Sequence, residues 1–112
     1  MARPTKLSFP IEKAVYLLTR ETESGKGGDK KKFWREILGF DSPELVRESI
    51  LDSLQVNDLA FNRPSRHGDR YQAVSLVRDI AGSFHQVKTA WIVHPEETTA
   101  RFVTAFPQRR RG

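Results

Sequence analysis

The residues best equipped for chemistry lie in two basic, polar segments. The first, Asn62-Arg63-Pro64-Ser65-Arg66-His67-Gly68-Asp69-Arg70, gathers one His with three Arg. A His titrates near neutral pH, so His67 can accept or donate a proton as a general base or acid. Guanidinium groups hold phosphate through paired N–H donors, which suits Arg63, Arg66 and Arg70 to a polyanion. The second, Ser24-Gly25-Lys26-Gly27-Gly28-Asp29-Lys30-Lys31-Lys32, is a Gly-rich loop running into an expected helix N-terminus. Free backbone N–H groups and the helix dipole attract anions there, and Lys26 and Lys30 add charge. It is no Walker A loop, because Gly-Lys is not followed by Ser or Thr. Each segment also reads as plain architecture: a polar connection in the first case, a loop and helix cap in the second.

Other chemistries are excluded by type. The chain has no Cys, which removes thiol nucleophiles, disulfides and thiolate metal sites. No Gly-x-Ser-x-Gly elbow occurs, and the three His show no metal-ligand spacing, so neither metal nor cofactor is expected. His85 at a strand start and His94 beside a turn Pro are weaker candidates than His67. Phe33, Trp34, Phe40, Trp91 and Phe102 alternate with apolar neighbours as core residues do. Tyr71 is the one aromatic beside the Arg/His segment, which argues against a base-stacking platform.

These segments must be positioned by a short chain of elements. After Pro10, the spacing of Ile11, Ala14, Val15 and Leu18 predicts a helix with one apolar face. Asp29 caps a second, with Phe33, Trp34, Ile37 and Leu38 on one side, ended by Gly39 and Phe40. Ser42-Pro43-Glu44 opens a third, with Leu45, Val46, Ser49, Ile50 and Leu54 inward. The period then shifts to strands at Tyr71–Val77, Phe84–Val93 and Thr98–Phe106, with a weaker one near Asn57–Asn62. In Phe84–Val93, Val87, Thr89, Trp91 and Val93 share one face. The expected fold is α+β, with about three N-terminal helices packed on an antiparallel sheet of three to four strands. One domain spans 1–107, helical over about 10–55 and sheet over about 57–107, followed by a basic tail at 108–112.

The 112 residues carry 19 Lys plus Arg against 14 Asp plus Glu, a net charge of +5. Three of these are Arg109, Arg110 and Arg111; subtracting them from 19 leaves 16 against 14, or +2. The body is nearly balanced, so global charge argues weakly for nucleic acid. With 38% hydrophobic residues and no long apolar run or signal-type start, a soluble cytoplasmic domain is expected.

In order, Lys26-Gly27-Gly28-Asp29-Lys30, Phe33, Leu38-Gly39-Phe40, Gly68, Tyr71, Thr89-Ala90-Trp91-Ile92 and Arg101-Phe102-Val103-Thr104-Ala105-Phe106-Pro107 carry a resemblance. Over about 11–107 the chain resembles a small bacterial domain-of-unknown-function family, found standalone and at the C-termini of polymorphic toxins. Phe106-Pro107 stands where that family commonly has Tyr-Pro, which removes a hydroxyl. More distantly, the helices-then-sheet order is similar to the metal-independent ribonucleases of the barnase, EndoU, colicin and RelE type.

That resemblance implies a toxin-type ribonuclease acting on RNA and neutralised by a cognate antitoxin or immunity protein. Such an enzyme needs a base, an acid and cations, since RNA supplies its own 2′-hydroxyl nucleophile. His67 would be the acid/base group, Lys30 and Arg70 the phosphate binders, and Thr89 and Thr104 the polar orienters. In a meander, Thr89 and Thr104 would lie on neighbouring strands and face the same open side. The alternative is a non-catalytic protein-binding module, an immunity, adaptor or defence-locus component, with both basic segments as partner surfaces. A third reading, nonspecific nucleic-acid binding through the Arg tail, ranks lowest.

Overall fold

Helix α1 (Ile11–Thr19) begins directly after Pro10, whose carbonyl accepts the Lys13 N–H at 3.0 Å. Ala14, Leu17 and Leu18 are buried, whereas Ile11 and Val15 stay 39% and 41% exposed. The apolar stripe is therefore turned toward Leu17 relative to the expected one. The computed structural model describes residues 3–19 and 33–107, so Lys26, Asp29 and Lys30 lie outside the described residues.

Phe33–Ile37 forms a single π-helical turn rather than an α-helix, with the Leu38 N–H donating to the Phe33 carbonyl at 2.9 Å. The wide turn buries Phe33, Trp34 and Leu38 while Ile37 faces out. Gly39 follows at φ 80°, a left-handed conformation that favours glycine, and the Phe40 N–H returns to the Trp34 carbonyl at 2.9 Å. Helix α2 (Pro43–Ser53) has Ser42 as its N-cap, the Oγ accepting from the Leu45 N–H at 3.4 Å. Val46 and Ile50 point inward; Leu45 does not. A 3₁₀ turn at Val56–Asp58 leads into the strands.

The sheet has five strands, β1 (Lys6–Ser8), β2 (Ala60–Ser65), β3 (Gly68–Arg78), β4 (Phe84–Val93) and β5 (Thr99–Pro107). Their spatial order is β1-β5-β4-β3-β2. β2 to β5 form the expected antiparallel meander, but β1 adds a strand parallel to β5. The sheet is thus mixed and five-stranded, not antiparallel with three to four strands. Three residues are too few to display an alternation in sequence, which is why β1 escapes a pattern reading.

The polar segment 62–70 is not a loop. It is the β2–β3 hairpin, with Arg66 and His67 alone in its turn. Pro64 is tolerated because β2 is an edge strand. α1 packs on β5 and α2 on β3, covering one side of the sheet. Between the layers Phe9 stacks on Phe102 at 4.0 Å and Trp91 meets Phe102 edge-on at 5.2 Å. Each such side chain stabilises the fold by about 1.5–3 kcal/mol through burial. Among the described residues, no helix is long and apolar enough to cross a membrane.

Candidate functional site

Alternation along the strands divides the sheet into a covered and an open face. Tyr71, Ala73, Ser75 and Val77 of β3 are buried under the helices, as are Val87, Thr89 and Trp91 of β4. The intervening residues point the other way. Val74 and Leu76 are 51% and 55% exposed, and Phe84 is 64% exposed.

Cross-strand register turns this open face into rows, because directly paired residues share a face. One row reads Arg63, Arg70, Ile92, Arg101 and Ser8 across β2, β3, β4, β5 and β1. Three guanidinium residues therefore line up within about three strand spacings, roughly 14 Å. The next row holds Gln72, Ala90 and Thr104, and the one beyond it Val74, Lys88 and Phe106. No Asp or Glu occupies an open-face position of β3, β4 or β5.

The charges of the row are unevenly compensated. Arg101 forms a two-pronged contact with Glu97, at 3.2 Å and 3.3 Å. Arg101 thereby holds the Glu97 carboxyl below its ordinary range, and Glu97 raises the Arg101 guanidinium above its own. Arg63 and Arg70 have no carboxylate partner among the described residues. Nε of Arg70 is shielded from solvent and makes no hydrogen bond there. A buried donor left unmet is costly.

Beside this row, at the end of the sheet, the β2–β3 turn meets the β4–β5 turn. His94 Nδ1 donates to the His67 carbonyl at 2.8 Å. Since a carbonyl only accepts, the hydrogen sits on Nδ1, and Nε2 of the neutral ring is free to act as a base. His94 lies two residues beyond Ile92, about 7 Å along the strand from the guanidinium row. It lines a cleft of about 410 Å³ together with Ser65, Asp69, Glu96, Glu97 and Thr98. Gly68 permits this closure: its φ is 140°, and a Cβ there would collide with the Val93 carbonyl oxygen. Glu96 bends the opposing turn with φ 67°, an unusual value for a non-glycine residue.

The sequence-predicted residues are thus partly assembled. Arg63, Arg70 and Thr104 share the open face, and His67 and Arg66 sit exposed in the turn at its end. Thr89 does not join them. It lies on the covered face, donates to the Ala73 carbonyl at 2.9 Å and accepts from Trp91 Nε1 at 2.8 Å. The expectation that Thr89 and Thr104 face the same side fails because of a register shift at Ala90/Trp91. Continued unshifted, the Trp91–Phe102 register would set Thr104 opposite Thr89; the shift sets it opposite Ala90. Lys26 and Lys30 lie outside the described residues.

Sequence reasoning ranked His94 below His67 and missed Arg101, Lys88 and Phe84, whose setting depends on register rather than spacing. It also missed a His–carboxylate pair. His85 Nε2 lies 2.8 Å from Asp79 Oδ2, across the turn joining β3 to β4, with the Phe33 ring edge-on to the imidazole. His85 and the Ser83 N–H hold the Asp79 carboxyl below its ordinary value. The six-residue separation reflects a hairpin turn, so a turn prediction at 79–82 was the available signal. Among the described residues, no group of three or more His, Asp or Glu is placed to share a metal ion.

No curated protein and no solved structure matches the chain. The family described as Domain of unknown function (DUF6883) matches residues 8–109, and the chain belongs to that family.

Proposed function

We propose that this domain acts on RNA in the cytoplasm as a toxin-type, metal-independent ribonuclease restrained by a cognate partner protein. The observation that carries the reading is the open-face row of Arg63, Arg70 and Arg101, on a face to which β3, β4 and β5 bring no carboxylate. Guanidinium groups gathered in one row hold a phosphate and stabilise the charge that builds on phosphorus during cleavage.

The chemistry follows from the imidazoles in the turns beside the row. One removes the proton of the 2′-hydroxyl, whose oxygen attacks the adjacent phosphorus. The other gives a proton to the departing 5′-oxygen, leaving a 2′,3′-cyclic phosphate. His67 and His94 are the groups for these two transfers, with Arg70 bracing the phosphate. Thr104 orients substrate on the open face, while Thr89 serves the core.

The test uses purified protein, RNA and excess chelator. Cleavage producing cyclic-phosphate ends is expected, with losses of about 10²-fold or more for His67→Ala and His94→Asn. The Asn amide can reproduce the Nδ1–H bond to the His67 carbonyl while lacking a base at the Nε2 position. Intact RNA with the unaltered protein overturns the reading.

One observation favours a second reading. The cleft beside His94 is lined by Asp69, Glu96 and Glu97, a setting suited to a basic segment of a protein partner. On that account the domain is a non-catalytic binding module, and Asp69→Asn or Glu96→Gln weakens partner binding while the unaltered protein leaves RNA intact.

A further inference from the structure

The open face continues well beyond its guanidinium row. From Ile92 to Phe84, β4 runs eight residues, about 27 Å at the strand rise. Lys88 stands midway, between Val74 and Phe106. Phe84 closes the far end opposite Arg78, with its ring largely in solvent. Beside it lies a groove of about 360 Å³, walled by Leu76, Arg78 and Phe84 on one side and by Ser49, Asp52 and Ser53 of α2 on the other. Cations at intervals, then an exposed ring next to a groove with hydroxyls and a carboxylate, match unpaired nucleic acid. Each base has a π-face to stack, while a duplex hides those faces and offers mainly phosphate and sugar.

We propose that the RNA taken by this face is single-stranded, its backbone following β4 from the guanidinium row past Lys88, with one base stacked on Phe84. This rests on the RNA reading above and adds the substrate class. The Phe84-stacked base turns its edge into the groove, where Asp52 accepts from an amino or imino N–H, and Ser49 and Ser53, whose hydroxyls donate to the Val46 and Ile50 carbonyls, offer further acceptors. The track is short, in keeping with the smallest single-strand sites of about four nucleotides. A ring this exposed costs the free protein apolar surface without packing gain, which a stacked base reverses.

The experiment uses the full chain and a labelled 2′-O-methyl RNA oligonucleotide, which binds but lacks the hydroxyl needed for cleavage. Affinity is read by anisotropy for the unpaired strand and for the same strand annealed to its complement. The unpaired strand is expected to bind more tightly, and Phe84→Ala to weaken it about 5- to 100-fold while leaving duplex affinity unchanged. Phe84→Trp supplies a direct reading. Trp34 and Trp91 are fully buried, so fluorescence quenched by the unpaired strand reports a base on position 84. Equal binding of both forms, or no quenching, overturns this inference while leaving RNA binding intact. Failure of both forms to bind overturns the RNA reading as well. Unchanged melting of the Phe84 variants, expected from their exposure, shows that each outcome concerns binding.

Discussion

Arg63 stands directly opposite Arg70, although an unbroken β2–β3 register would have placed it opposite Asp69. Phe61 pairs with Tyr71, and a one-residue shift before Arg63 replaces the attractive pairing by a repulsive one. The same shift carries Arg63 from the covered face to the open one. Like charges directly opposed cost stability, and a fold that accepts them points to a role outside stability.

From this follows a reciprocal prediction for Arg63→Ala and Arg70→Ala. Each should leave the free protein as stable as before or more stable, by up to about 1 kcal/mol. Each should also weaken RNA binding and flatten its dependence on salt, since fewer counterions are released. Thermal melts and salt-titrated anisotropy check the two halves. Loss of stability without loss of binding contradicts the functional role.

Thr89→Val should behave in the opposite way. The hydroxyl bridges the Ala73 carbonyl and Trp91 Nε1 in the core, and its removal leaves a buried donor unmet. Denaturant unfolding should show a loss of about 1–3 kcal/mol. RNA cleavage per folded molecule should stay unchanged; a selective fall in turnover would restore Thr89 to the site.

The legible parts of the fold were those written in local chemistry. Ser42-Pro43 and Gly39 mark helix ends by their own side chains and backbone, and period two shows that Val87, Thr89, Trp91 and Val93 share one face of their strand. The site was less legible. Its guanidinium row depends on shifts at Phe61/Arg63 and Ala90/Trp91, and a bulge moves every later residue to a new partner without altering the strand pattern. Hence Arg63 and Arg70 were recognisable as phosphate ligands, whereas their alignment with Arg101, and the separation of Thr89 from Thr104, were not.

Gly68→Ala tests whether the two turns must close on each other. The substitution forces a Cβ into a positive-φ position and against the Val93 carbonyl. A cost of at least about 1–3 kcal/mol is expected, and the hydrogen bond from His94 to the His67 carbonyl should break. Denaturation midpoints measure the first, and the His94 imidazole resonances report the second. An unperturbed variant would mean that the hairpin tip does not define the cleft.

Acid should weaken the fold through Asp79 and Glu97. Both carboxyls ionise more readily in the folded chain than in the unfolded one, Asp79 through His85 and Glu97 through Arg101. Their stabilisation is complete above the unfolded-state value, about 4, and is lost as pH falls through the lower folded-state values. Stability measured from neutral pH down to about 3 should therefore fall less steeply for Asp79→Asn and Glu97→Gln than for the unaltered chain. An unchanged slope contradicts these pairings.

The central claim, that the open sheet face is the RNA surface, is tested most directly by nuclear magnetic resonance. An uncleavable unpaired oligonucleotide is titrated into isotopically labelled protein. The account predicts side-chain and amide shifts concentrated at Arg63, Arg70, Gln72, Lys88, Arg101 and Thr104, ending at Phe84. Shifts confined to α1, α2 or the acidic turn at Glu96 and Glu97, with this face silent, would contradict it.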